Sequence, residues 1–299
     1  MSSLGLADQQ WKGGTQMEIV DAHGHFGSLG QIAGVELASD EIVDEKRWEE
    51  MEFRARLETM RNLGIAWTVM QPSPGYLKPD GIKDTMRVND SMAAYRQRDP
   101  VHFPVVTGTV EPNHGERSLA EIERAKLELH LDGLSWHPRY SGVYLDNRWM
   151  WPILTKMSDL GLVPLIHANP ESQLEAPWRL QRLAKEFPTL NFVILDAFLT
   201  LEGIQPSLQL AEALPNTVWV VGPVFPGYRD GGVQSTWRLI ENWIRAHGAE
   251  QISYGGAHGY SSTSPAKSHR LLELIVSSPL STGAKANILG GNMRRVFGK

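Results

Sequence analysis

Two histidines stand two residues apart at the end of an apolar run, in the stretch EIVDAHGHFG from Glu18 to Gly27. Side chains at i and i+2 of a strand project to the same side, so His23 and His25 are expected to point together. Two imidazoles aimed at one point suit a divalent cation, each giving one nitrogen at about 2.0 to 2.1 Å. The alternative is that His-Gly-His is only a polar exit from a strand. Asp21, two residues earlier, is expected on the same side as His23, either as support for it or as packing along the strand ladder. A third histidine follows the same grammar: LVPLIHANPES finishes an apolar run at His167 and enters a turn-rich loop with Asn169 and Pro170. SWHPRYSG places His137 and Arg139 two apart, with Tyr140 beside them. His137 has three readings: a ligand, a proton shuttle, or a hydrogen-bonded core residue. Arg139 presents a fixed fork of donors suited to a substrate carboxylate, and a structural ion pair competes with that role. Asn169 and Tyr140 are expected beside the same substrate.

Such residues need a frame that brings them together. Eight short apolar runs rich in Val and Ile recur along the chain: 17–23, 65–71, 103–111, 131–137, 162–168, 191–197, 217–223 and 252–257. Near-continuous apolarity marks strands buried on both faces, as in a parallel sheet. Segments with helical spacing lie between them, among them 44–64, 118–130, 177–187 and 234–248. Strict alternation over 299 residues, without a composition break, predicts an α/β fold with one (β/α)8 TIM barrel over residues 16–299 and a loose arm over 1–15. A doubly wound sheet would need a glycine-rich phosphate loop after the first strand, and HGHFGSLG does not fit G-x-G-x-x-G. In a barrel, strands 1 and 5 face each other, so His23, His25 and His167 are expected to meet at the C-terminal rim.

Composition narrows the chemistry. Net charge is −5 with no basic block, which argues against nucleic acid or an anionic membrane as partner and for a small-molecule substrate. The chain has no cysteine, so thiolate nucleophiles and cysteine-type zinc sites are excluded. No signal-type segment or long apolar run stands out, so a cytoplasmic protein is expected. Trp48, Trp67, Trp149, Trp151, Trp178, Trp219, Trp237 and Trp243 are expected mostly to pack into the core. Phe225, Tyr228 and Arg229 lie in the Gly- and Pro-rich loop after strand 7, where a lid or substrate contact would sit; an ordinary surface loop is the alternative.

IVDAHGH, GIAWTVMQPSP, GTVEP, the long stretch from Asp132 to Asn169 and the tail ILGGNMRRVFG together resemble the amidohydrolase-related proteins of the amidohydrolase superfamily. The resemblance runs from about residue 17 to the end and implies a TIM barrel. It implies enzymes that include metal-dependent hydrolases, non-oxidative decarboxylases and lactonases, and proteins that are often dimers. Two positions depart from the family pattern. Strand 6 reads FVILDAFLTLEG, with Asp196 and Ala197 where a histidine is usual, and strand 8 reads SYGGAHGYSS, with Ala257 where a metal-binding, proton-transferring aspartate is usual. Asp196 and His258 are the candidates to supply the missing proton transfer. Their alternatives are a helix cap for Asp196 and a solvated loop position for His258.

Three readings follow. The first is metal-assisted hydrolysis of a small carbonyl-containing, carboxylated substrate, with His23, His25 and His167 holding Zn²⁺, Mn²⁺ being the second choice of ion. The second is a decarboxylase or lactonase on the same barrel, with or without metal, in which Arg139 anchors a carboxylate. The third is a descendant without hydrolase activity, motivated by Ala257.

Overall fold

The computed structural model describes residues 17–26, 45–73, 78–222, 232–256 and 265–299. Eight parallel strands run in sequence order around a nearly closed barrel: β1 Ile19–Phe26, β2 Ile65–Pro72, β3 Val105–Gly108, β4 Gly133–Trp136, β5 Val163–His167, β6 Phe192–Leu195, β7 Thr217–Val221 and β8 Ile252–Tyr254. Helices α1 Glu45–Leu63, α2 Ile82–Arg98, α3 Glu116–Leu127, α4 Met150–Leu160, α5 Leu180–Glu186, α6 Leu201–Ala213, α7 Gly232–His247 and α8 Pro265–Ser277 follow the strands in turn. Two short helices, α9 Thr282–Ala286 and α10 Asn292–Phe297, complete the chain. This is the single-domain (β/α)8 barrel expected from the alternation. No helix among the described residues is long and apolar enough to cross a membrane.

The continuous apolarity of the strands is explained by two separate cores. Val20, Ala22, Trp67, Val69, Val105, Leu165, Val193, Leu195, Val218 and Val220 fill the barrel, and Met293 and Val296 of α10 join them. The other strand face packs against the helices in a larger cluster that includes Ile19, Met70, Val106, Leu134, Ile166, Phe192, Ile194 and Trp219. The α10 residues stopper the N-terminal end: Asn292 Nδ2 donates to the carbonyls of Ala249 and Ile252, both at 2.7 Å. That leaves the opposite mouth for chemistry. Trp178 departs from its expectation, since 56% of it is exposed and it lies beside the Arg179 guanidinium instead of in the core.

Among the described residues no ladder joins β8 back to β1. The gap is bridged by Asp21, whose Oδ1 accepts the Gly256 amide at 2.5 Å and the His23 amide at 2.9 Å. The β1–β2 register slips between Asp21 and Gly24, so the alternation of side chains breaks there. Val20 and Ala22 face the barrel interior, whereas a Cβ on Gly24 would meet Thr68, Met70 and Arg56 at 2.6 to 3.2 Å on the outer side. Parity therefore changes within Ala22–His23. His23 and His25 share a side as expected, but Asp21 does not share it with them, and its support reaches His23 through the backbone.

Candidate metal centre

The three histidines predicted from strand ends converge. His23 Nε2 lies 2.8 Å from His25 Nε2 and 3.2 Å from His167 Nε2, and the triangle closes with 3.3 Å between His167 and His25. All three side chains are buried. His25 Nδ1 lies 3.0 Å from the Pro72 carbonyl and His167 Nδ1 lies 2.9 Å from the Trp136 carbonyl. A carbonyl only accepts, so both Nδ1 atoms carry the hydrogen, and in the neutral rings both Nε2 atoms present a bare lone pair. Neutrality is enforced by burial, which pushes His25 down to about 3, with the neighbouring His23 adding to it. His167 is pushed well below its ordinary value by burial and by His137, His23 and His25.

Two lone pairs 3.3 Å apart cannot satisfy each other, and a proton from His23 can serve only one of them. A cation serves all three nitrogens at once. Three nitrogens bound at about 2.1 Å on adjacent corners of an octahedron lie about 3.0 Å apart, and on a tetrahedron about 3.4 Å. The observed edges of 3.2 and 3.3 Å fall between those two values, and the third, 2.8 Å, lies about 0.2 Å below the octahedral one. The residues present therefore fit a divalent metal, and the backbone carbonyls behind His25 and His167 fix those two ring orientations as metal ligands require.

Beside this triad, His137, His167 and Asp196 form an adjoining group whose ligand atoms all lie within 4.8 Å of one another. His137 stacks on His167, with centroids 3.2 Å apart and planes 23° apart. Its Nδ1 makes no hydrogen bond among the described residues, and burial, together with His25 and Arg139, pushes it well below the ordinary histidine value. Asp196 follows β6 with φ of 62°, in the left-handed region where a non-glycine residue is uncommon. Burial pushes its carboxyl up, against the pull of His25 and Arg139. It does not cap the next helix: Thr200 does, its Oγ1 accepting the Gly203 amide at 3.0 Å. Arg139 is exposed, its Nε 3.5 Å from Glu175 Oε2, which is the ion pair anticipated as its alternative role. Tyr140 is exposed and meets His137 edge-on at 5.5 Å. Asn169 is buried, with Oδ1 accepting the Glu171 amide at 2.9 Å in a turn of its own loop. Tyr228, Arg229 and His258, with Ala257, lie outside the described residues.

Two polar residues at this mouth escaped the sequence reading. Glu175, in the loop after β5, is fully buried; its Oε1 accepts the Arg139 amide at 3.1 Å and lies 3.5 Å from His137 Nδ1. Burial raises it to about 7. Gln71 pairs with His25 in the β1–β2 ladder and its Oε1 accepts the Ser135 hydroxyl at 2.7 Å, while its Nε2 has no partner among the described residues. The strand-end rule that found the histidines applies equally to Gln71, which closes the apolar run of β2.

Comparison with known proteins agrees with this architecture. The amidohydrolase family model matches residues 20–299. The chain belongs to the amidohydrolase family. No curated protein matches this amidohydrolase chain. Among solved structures it is similar to 5-carboxyvanillate decarboxylase from Sphingomonas paucimobilis, with TM-score 0.67, 18% identity, and 94% of this chain and 99% of that chain covered. It is also similar to a dihydroxybenzoic acid decarboxylase from a Polaromonas species, solved with bound manganese and the inhibitor 2-nitroresorcinol, with TM-score 0.68, 18% identity and coverage of 95% and 97%. The 4-oxalomesaconate hydratase of Rhodopseudomonas palustris is similar at TM-score 0.65 and 19% identity, covering 94% and 95%. At these identities the likeness concerns the fold.

Proposed function

We propose that this amidohydrolase-family chain is a metal-dependent enzyme acting on a small carboxylated substrate, with non-oxidative decarboxylation as its first activity. The observation that carries the metal is the convergence of three Nε2 atoms, two of them stripped of hydrogen by carbonyls behind their rings. A divalent ion held by His23, His25 and His167 would supply Lewis-acid polarisation of a substrate oxygen. Mn²⁺ or Zn²⁺ fits an imidazole set. What supports the lyase reading is the company of folds: both decarboxylases above are named for carboxylated phenols, and one carries manganese. Arg139, paired with the Glu175 that also faces His137, is the cation for a carboxylate. Asp196, brought to the mouth by β6, is the carboxyl that holds the proton for the carbon that loses CO₂. It takes the place of the usual strand 8 aspartate, where this chain has Ala257.

Hydrolysis, including lactone opening, is the second reading. His137 favours it, because an imidazole whose Nδ1 makes no hydrogen bond among the described residues suits accepting a proton from water. The test is elemental analysis of gently purified protein, followed by assay of carboxylated phenols for CO₂ release and of lactones for ring opening, with and without chelator. One Mn or Zn per chain and chelator-sensitive CO₂ release are expected. Metal content near zero that added Mn²⁺ or Zn²⁺ cannot restore removes the proposal; chelator-sensitive ring opening without CO₂ release selects the second reading.

A further inference from the structure

Behind β1, on the side away from the three rings, a charged pair is sealed into the protein. Arg56 and Glu52 of α1 are both almost wholly buried. Arg56 Nε donates to Glu52 Oε1 at 2.7 Å, a terminal nitrogen donates to the same oxygen, and Tyr95 donates its hydroxyl to Glu52 Oε2 at 3.1 Å. The same terminal nitrogen of Arg56 donates to the His25 carbonyl at 2.5 Å. Burying such a pair is unfavourable unless its geometry and hydrogen bonds are complete, so a bare stabilising role is poorly served by it. The placement is telling. Gly24 leaves room for the guanidinium, because a Cβ there would come 3.2 Å from an Arg56 terminal nitrogen.

His25 is thus held at two points: its ring by the Pro72 carbonyl and its own carbonyl by Arg56. The second contact falls at the C-terminal end of β1, where β1–β2 pairing ends with Phe26 opposite Pro72. A lone guanidinium behind the ligands would repel a divalent ion. Glu52 cancels that charge, so the site gains orientation without the repulsion. We infer that the Arg56–Glu52 pair is the positioning element of the metal site, setting His25 for the ion through the backbone of β1. The inference rests on the three-histidine reading above, and Arg56 and Glu52 act on the ion only through His25.

Groups behind metal ligands typically change metal affinity 10- to 100-fold. Mn²⁺ affinity, read from the free-ion signal by electron paramagnetic resonance, is the measurement, with folding checked by circular dichroism. Arg56→Lys keeps the charge but loses the fork that spans Glu52 and His25. The double variant Glu52→Gln/Arg56→Met removes the pair as a unit, so that no uncompensated charge is left buried. Each folded variant is expected to bind Mn²⁺ about 10-fold more weakly than wild type. Asn292→Ala, which loses two buried hydrogen bonds at the opposite end of the barrel, is expected to lower stability and leave Mn²⁺ affinity unchanged. A folded variant of the pair that binds within twofold of wild type overturns the inference, as does equal weakening by Asn292→Ala. Wild-type protein that takes up no Mn²⁺ removes the three-histidine reading itself, and this inference with it.

Discussion

Asp21 and Gly256, at opposite ends of the strand order, are joined by one hydrogen bond of 2.5 Å from the Gly256 amide to Asp21 Oδ1. The same oxygen takes the His23 amide, so the closure of the barrel and the placement of the first metal-ligand candidate share one acceptor. Asp21→Ala leaves both buried donors unsatisfied and is expected to lower stability by about 2 to 4 kcal/mol, at about 1 to 2 kcal/mol for each orphaned amide. Asp21→Asn keeps an oxygen in place and should recover most of that loss. Urea unfolding of the two variants measures the difference; equal loss in both would mean that the carboxylate charge, not the acceptor geometry, closes the barrel.

His167 is the ligand candidate that only the far wall supplies, so its removal tests convergence across the barrel. His167→Ala is expected to reduce metal content from one ion per chain to below about a tenth, as two imidazoles two residues apart seldom retain an ion that three hold. Its ring is fully buried and stacks on His137, so loss of the ring also opens a cavity and should lower stability by about 2 to 4 kcal/mol. Elemental analysis of the folded variant reads the first effect and thermal unfolding the second. Unchanged metal content would place the ligands elsewhere.

The fold was legible because parallel strands buried on both faces have no polar alternation to confuse, so the apolar runs that became β1 to β8 stood out. The triad was legible because two strand-end histidines at spacing two and a third after the opposite strand obey the geometry of a barrel. Asp21 was misread for a physical reason: the register slip between Asp21 and Gly24 reverses side-chain parity, and periodicity carries no mark of a bulge. Glu175 was invisible because it sits in a loop, where burial follows from tertiary packing and no period reports it. The left-handed turn at Asp196 was equally hidden, since aspartate is tolerated there and equally common elsewhere.

Glu175 gives the molecule a pH signature of defined sign. Its folded value is raised from 4.5 to about 7, chiefly by burial, so between those values the folded state holds a proton that the unfolded state has lost. Stability from this group is therefore present in full below about 4.5 and is lost as pH rises to about 7. The buried histidines work the other way, since their depressed values make stability fall as pH drops below about 6.5. Comparison with Glu175→Gln isolates the carboxyl. The variant is expected to match wild type near pH 4.5 and to exceed it by up to about 3 kcal/mol at pH 8, the difference growing through pH 5 to 7. A stability difference that does not change with pH would mean that Glu175 titrates normally.

Asp196 separates chemistry from architecture. Its left-handed backbone strains most side chains by about 1 to 2 kcal/mol, but Asn tolerates that region as Asp does, so Asp196→Asn preserves the turn while removing the proton. Burial disfavours the charged carboxylate, so the amide should be no less stable than wild type at pH 8. Activity is expected to fall by a factor of about 10² to 10⁴, the usual worth of a general acid or base, with metal content unchanged. Asp196→Ala should show the same loss of activity and, in addition, lower stability by about 1 kcal/mol from the strained turn. Turnover by Asp196→Asn within a few-fold of wild type would transfer the proton to another group at this mouth, and the order of candidates by proximity to the triad then puts His137 first, stacked on His167, ahead of Glu175 behind it.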